Sequence, residues 1–460
     1  MADVATSPPP DEVGWRSRSG FVLATVGSAV GIGSIWKFPY EVGANGGGAF
    51  VVVYVAGLAL VVVPLMLAEF ALGRRGRADA ATSIEAVARA EGRSPRWAVV
   101  GVLGATTAFL ILSFYAVIGG WTLAYTVDVL RKGLPSGSVA VTDRFDHFLG
   151  SPARMVLFQA LFLAAVALVV NRGVQRGIER SMRVLMPLLA VLLVALAGYS
   201  MSPGDAGEAL RFLFVPTIDD LDGRAVLDAL GLGFFSIGVG LGILLTYAAY
   251  SPPAVGLRSA AVVSVATDTA ISLLAGLAVF PVVFANGIDP GSGPGLAFVS
   301  LPLAFDAMPG GRWAAATFFA MLAIAALGSA ISMLEAVVAV VGRRVGWGRR
   351  RAVVAAACVC FVVGLASVLS FNRWADVHPL AMVGRYVDAT IFDLLDEVTS
   401  RLLLPLGGLV LAVFCAWVLP ARVLGAELDL GGWPLVGLRL ALRFVAPGVI
   451  VAATVAFLIG

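Results

Sequence analysis

Residues 20–50, GFVLATVGSAVGIGSIWKFPYEVGANGGGAF, are apolar and long enough to cross a bilayer, yet glycines at 27, 31 and 33 interrupt the middle. An unpaired N–H or C=O in hydrocarbon is costly, so a helix gives up its internal bonds there only where another group takes them over. Unwinding around residues 29–33 would point the positive end of one half-helix at an anion and free carbonyls for a small cation. The same glycines also suit close helix packing. A second stretch bears on the choice: residues 233–250, GFFSIGVGLGILLTYAAY, carry Gly238, Gly240 and Gly242 inside another apolar span. Two interrupted spans, one early in each half, point to an inverted-repeat carrier with its site at mid-membrane.

The chain is 59% hydrophobic and 13% charged, against roughly half and a quarter for a soluble globule, so it reads as a polytopic helical membrane protein with the lipid bilayer as partner. Spans of about 20 residues place helices near 17–43, 46–72, 98–130, 153–170, 178–199, 224–249, 259–284, 311–343, 351–371, 388–419 and 434–459. Arginines cluster at 74–96, 172–183 and 343–351, while aspartates fill the intervening loops at 143–146, 205–222 and 289–306. The positive-inside rule therefore predicts a cytoplasmic N-terminus and an external C-terminus, and the expected location is the plasma (inner) membrane. Arginines segregated in this way argue against nucleic-acid binding, and nothing in the pattern requires an oligomer. Cys358, Cys360 and Cys415 read as small core residues, and His147 and His378 are too far apart in sequence to suggest a metal pair. Residues 1–14 lack a basic n-region and cleavage site, so no signal peptide is expected to be removed.

Several motifs extend this reading: Trp15 with Arg18, NGGGAF at 45–50, PLMLAEFALGR at 64–74, GGWTLAY at 119–125, GIERSMRVLMP at 177–187 and TYAAY at 246–250. Over nearly the whole chain they resemble the neurotransmitter:sodium symporters, built on the leucine-transporter fold. The resemblance implies an all-α protein with a 5+5 inverted repeat. Residues 1–16 would be a cytoplasmic tail, 17–199 and 224–419 the two five-helix repeats, and 434–460 an eleventh span. Segment 294–308, with its apolar run 296–305, looks like the external loop helix that caps the vestibule in that family.

The same resemblance implies a substrate site. Gly31 stands where amine carriers of the family hold an aspartate, which leaves room for a substrate carboxylate, bound by N–H groups of Gly31, Ile32 and Gly33, by Tyr115 and by sodium. The substrate ammonium would meet carbonyls of Ala29, Phe235 and Ser236. Its side chain would lie among Ile111, Phe235, Gly238, Leu241, Ser329 and Met333, an uncharged pocket that selects an apolar group. Gly238 and Leu241 leave room for branched, sulfur-containing or aromatic amino acids.

Two oxygen clusters resemble the family's sodium sites. The first would use the Ala29 carbonyl, Ser34, the carbonyl and hydroxyl of Ser236, Asp268 and the substrate carboxylate. Asp268 inside a membrane span is expensive and rarely idle. The bland alternative is an acid bonded by Ser264, Thr267 or Ser272. Where family members are neutral here, chloride supplies the compensating charge; Asp268 brings its own, so no chloride requirement is expected. The second cluster would use carbonyls of Gly27, Val30 and Ala325 and the Ser329 hydroxyl. Gly328 takes the place of a further ligand, which leaves one or two sodium ions open.

Lys37 and Asp396 match the family's outer ion pair, with Phe235 as the lid below. On the inner side, Glu12 and Arg343 stand with exchanged charges at the family's Arg and Asp positions, beside Trp15. Glu69 would accept bonds from the loosened N–H groups of the breaks. The expected activity is sodium-coupled symport of neutral, apolar L-amino acids by alternating access, with no enzymatic chemistry. A proton-coupled or single-sodium amino acid carrier is the alternative, and a sensor or channel on the same fold the more remote one.

Overall fold

Long runs of Val, Leu, Ala and Phe with few charges leave a backbone in lipid one economical way to satisfy itself, and the chain is overwhelmingly helical. The computed structural model describes residues 14–202, 205–217, 221, 223–290 and 296–459. Glu12, most of the tail, part of the 205–222 acidic loop and the start of segment 294–308 lie outside the described residues. Among those described, nine helices are long and apolar enough to cross a membrane, ten if one bent pair counts as a single span. That pair is α1 (Arg18–Ala29) and α2 (Gly33–Ala44), bent by 53°. There follow α3 (Gly48–Gly76), α4 (Pro95–Lys132), α5 (Pro152–Asn171) and α6 (Val174–Met201). Two shorter helices, α7 (Gly223–Ile237) and α8 (Ile243–Ala249), divide the expected span 224–249 at residues 238–242. The remainder are α9 (Leu257–Ala285), α10 (Gly311–Val345), α11 (Arg349–Leu369), α12 (Ile391–Val418) and α13 (Gly432–Ala456).

Helix ends follow local chemistry. Ser17 caps α1 by accepting the Gly20 N–H. Pro64 in α3 and Pro405 in α12 each follow a π-helical turn, Leu58–Val62 and Val398–Leu403, where the missing proline N–H is absorbed by a wider winding. Five short helices fall in segments whose sequence shows no span: Ala80–Ala90, Ser138–Leu149, Ala206–Phe214, Leu301–Asp306 and Ala421–Leu428. Asp79 caps the first by accepting from Ala81 and Thr82, both at 3.1 Å.

The longest helices, α4 and α10, pack along one another, α3 packs on α8, and α6 on α9. Helix α1 is held among α6, α9 and α10, which brings both interruptions to the centre. Leu157, Leu161 and Leu168 of α5 and Val184, Leu188 and Val191 of α6 stay exposed, as a lipid-facing surface requires. Cys360 and Cys415 are core residues as expected; Cys358, two residues along the same helix from Cys360, points to the exposed side instead.

Candidate substrate and cation site

The first interruption is a change of backbone direction at Val30, which is extended (φ −74°, ψ 101°) between α1 and α2. Neither Gly31 nor Gly33 has a positive φ. They are needed because neighbours come close: a Cβ on Gly31 would lie 2.5 Å from Ser329 Oγ and 3.0 Å from Tyr115 Oη, and one on Gly33 would lie 3.1 Å from the Phe235 ring. Packing and interruption thus coincide in this stretch. A helix that stops at Ala29 leaves its last carbonyls without helical partners. Ser28 O accepts from Ser329 Oγ at 3.1 Å, and the Ile32 N–H donates to Tyr115 Oη at 3.2 Å.

The second interruption does depend on glycine conformation, since Gly238, Gly240 and Gly242 have φ of +73°, +88° and +71°. Glu69, fully buried on α3, accepts from the Gly240 N–H at 2.6 Å and the Leu245 N–H at 3.2 Å. One carboxylate therefore replaces helix bonds lost at the break.

Between the two interruptions lies a set of hard oxygens. Ser34 Oγ donates to Asp268 Oδ1 at 2.6 Å and sits 3.0 Å from Ser236 Oγ, which is 3.1 Å from both carboxylate oxygens. Tyr54 Oη donates to Asp268 Oδ2 at 3.1 Å. All four residues are buried and come from α2, α3, α7 and α9. The carboxylate is bonded across these helices rather than to Ser264, Thr267 or Ser272. Three mutually adjacent oxygens, one of them from a carboxylate, suit a small hard cation seated over their triangle, where each hydroxyl turns a lone pair toward it.

Ala29, Gly31, Gly33, Ile111, Tyr115, Phe235, Ser236, Gly238, Leu241, Ser329 and Met333 line one small central cavity of about 30 Å³. Ile32 lies beside it and lines the neighbouring space with Tyr115. Phe235 separates this centre from an aromatic-walled space of about 310 Å³ on the Lys37 side. At this volume the centre is too narrow for an amino acid, which enters only if Phe235 and its neighbours give way.

At the second expected cation cluster, Ser329 Oγ also lies 3.5 Å from Val30 O. Gly27, Val30, Ala325 and Ser329 are buried where α1 meets α10. Gly328 is accounted for by contact: a Cβ there would lie 2.7 Å from Gly27 O.

Lys37 and Asp396 face the same space but form no ion pair; Lys37 Nζ lies 4.9 Å over the Phe235 ring, and Asp396 accepts from Ser400 Oγ at 2.9 Å. At the opposite end, Trp15 is buried and donates its indole N–H to Tyr247 O at 2.8 Å, while Arg343 approaches Asp79 at 4.0 Å.

Sequence reasoning missed the acids that fasten that end. Glu179 accepts from the Arg16 N–H at 2.8 Å, from Ser17 Oγ at 3.2 Å and from Arg183 at 2.5 Å. Glu335 pairs with Arg349 and accepts from Tyr250 Oη. Glu179→Gln weakens two charge-assisted bonds of about 1.5–3 kcal/mol each. Hydrogen exchange of residues 14–20 is expected to accelerate at least tenfold; unchanged exchange would show that Glu179 does not fasten the segment. Tyr54 was also missed, although its hydroxyl is the one polar side-chain atom of the run VVVYVAG.

Residues 13–147 and 147–460 match the model of the sodium:neurotransmitter symporter family. The chain is 38% identical to the uncharacterized sodium-dependent transporter YhdH of Bacillus subtilis over 90% of this chain and 89% of that one. It is 31% identical to an uncharacterized sodium-dependent transporter of Haemophilus influenzae over 88% of this chain and 89% of that one. Among solved structures, MhsT in complex with L-phenylalanine superposes with a TM-score of 0.88 at 41% identity, covering 96% of this chain and 99% of that chain.

Proposed function

The chain belongs to the sodium:neurotransmitter symporter family and has the leucine-transporter fold, and from that premise we propose that it carries neutral, apolar L-amino acids with sodium by alternating access. The observation that supports this most is the Asp268, Ser34 and Ser236 oxygen cluster, buried between two interrupted helices and beside an uncharged pocket. The substrate carboxylate would complete the cation's shell beside Gly31 and Tyr115, and its side chain would lie among Ile111, Phe235, Leu241 and Met333. The bound L-phenylalanine of the 41% identical MhsT is in keeping with an apolar substrate. Asp268 supplies the anionic charge, so transport proceeds without chloride. The repeats would be 17–199 and 224–419, with the N-terminus cytoplasmic and the protein in the plasma membrane. Lys37 with Asp396 would close the outer path over Phe235, and Trp15 with Arg343 the inner one.

Stoichiometry turns on Gly328. Each sodium ion contributes roughly 2.3 kcal/mol per 100 mV, so two ions with a neutral substrate support about three decades of accumulation from the voltage alone and one ion fewer than two decades. The absent side-chain ligand favours a weak second site filled out by water, and a single-sodium cycle is the reading it leaves beside the first.

The test is binding of leucine, phenylalanine, methionine, glycine and a decarboxylated amine to purified protein while sodium is titrated, with uptake repeated in sodium-free medium at fixed pH. Sodium-dependent binding of the apolar amino acids, weak binding of glycine and none of the amine are expected. Undiminished uptake without sodium would replace this reading with proton coupling.

A further inference from the structure

Helices α5 and α6 and the turn joining them border a cleft of about 850 Å³ lined by Arg172, Arg176 and Arg180, with Val169, Val184 and Leu327 as an apolar wall. All three arginines are exposed, and Arg176 and Arg180 stand one turn apart on the same helix. Of the other arginines at this end, Arg183 pairs with Glu179, Arg349 with Glu335 and Arg74 with Glu427, whereas Arg344, Arg350 and Arg351 pair with no acid among the described residues and do not line this cleft. The cleft arginines have no carboxylate within 4 Å among the described residues. Three positive charges unpaired among the described residues, beside an apolar wall that includes the exposed Val184, match an occupant with an anionic head and an acyl tail.

We propose that this cleft binds an anionic phospholipid of the cytoplasmic leaflet. Its phosphate lies among the three guanidinium groups, whose planar forks suit phosphate oxygens. Its acyl chains run along the apolar wall toward Leu327 and the exposed faces of α5 and α6. A basic pocket at the headgroup level of a membrane helix pair attracts such lipids through charge and through the hydrocarbon beside it together. Free phosphate has only the first of these and is held far more weakly.

Native mass spectrometry of the full chain in neutral detergent tests this, with phosphatidylglycerol, phosphatidylcholine or inorganic phosphate titrated in separate arms. Phosphatidylglycerol is expected to remain bound through activation that strips phosphatidylcholine. Each arginine contributes on the order of fivefold, so the combined Arg172→Gln, Arg176→Gln and Arg180→Gln variant should lose roughly a hundredfold in affinity. A variant with Arg344→Gln, Arg350→Gln and Arg351→Gln, of equal charge, should keep it. Arg180→Gln alone, expected to lose about fivefold, serves if the triple variant does not fold. Equal retention by the two triple variants, equal retention of the two lipids, or displacement of phosphatidylglycerol by millimolar inorganic phosphate would each overturn the proposal. Retention is read without transport, so failure here leaves the carrier proposal standing, and the converse holds as well.

Discussion

Asp268→Asn is expected to raise the sodium concentration needed for half-maximal amino acid binding by at least a hundredfold. Asp268 is completely buried and gathers hydroxyl donors from Ser34, Ser236 and Tyr54. It carries the only full charge among the protein oxygens assigned to the first cation. With an amide in its place, the cation would be neutralised by dipoles and the substrate carboxylate alone. Removing one member of a buried ion pair commonly costs about 3–5 kcal/mol, which corresponds to roughly two to three and a half orders of magnitude in affinity. Ser34→Ala removes one neutral ligand and leaves the charge in place, so a loss of about tenfold is expected, in line with a bond to a charged group of roughly 1.5 kcal/mol. The same charge argument predicts that exchanging chloride for gluconate leaves the unaltered protein indifferent, whereas the Asn variant gains from chloride. A sodium titration curve that does not move in Asp268→Asn would remove the carboxylate from the cation's shell.

How far the sequence carries depends on the kind of contact. Membrane spans were legible because their length and apolarity come from the bilayer itself, and most ends fall within a few residues of expectation. The interruption at 238–242 was legible because positive φ selects glycine at three alternate positions. That at Val30 was legible in place but only partly in cause, since its flanking glycines answer to Ser329, Tyr115 and Phe235, which are remote in sequence. Tyr54 and Asp268 lie on different helices, and an aromatic residue in an apolar run looks the same whether its hydroxyl meets lipid headgroups or a carboxylate. Glu179 and Glu335 escaped notice for a related reason: arginine-rich loops mark a membrane side without telling which arginine finds which acid. The short helix Leu296–Asp306 falls on the apolar run where a loop helix was expected, whereas the other loop helices lack the length that made the spans visible, and their amphipathic faces are read only once the bundle they rest on is in place.

Gly240→Ala is expected to be the most damaging small substitution in the centre, lowering the thermal midpoint and abolishing measurable substrate binding. Two separate costs meet at this residue. Its φ of +88° is a conformation that an L-residue adopts at roughly 1–2 kcal/mol. A Cβ would also stand 2.8 Å from Gly408 N and 3.0 Å from Leu404 O, backbone atoms of α12 that cannot rotate aside. Overpacking of this kind costs about 1–3 kcal/mol, and any shift that relieves it stretches the bond from Gly240 N–H to Glu69. The two contributions are separable with neighbouring glycines. Gly238→Ala meets only Leu241 Cδ1 at 3.4 Å while φ is +73°, so it incurs the backbone cost nearly alone. Gly407→Ala has no positive φ, but its Cβ would lie 2.7 Å from Gly240 O, so it incurs the contact cost nearly alone. Thermal unfolding should therefore rank Gly240→Ala below both, with a loss near the sum of the other two. A Gly240→Ala midpoint equal to that of Gly238→Ala would mean that α12 yields to the added methyl, and that the apposition of Gly240 with Gly407 and Gly408 does not hold the break in place.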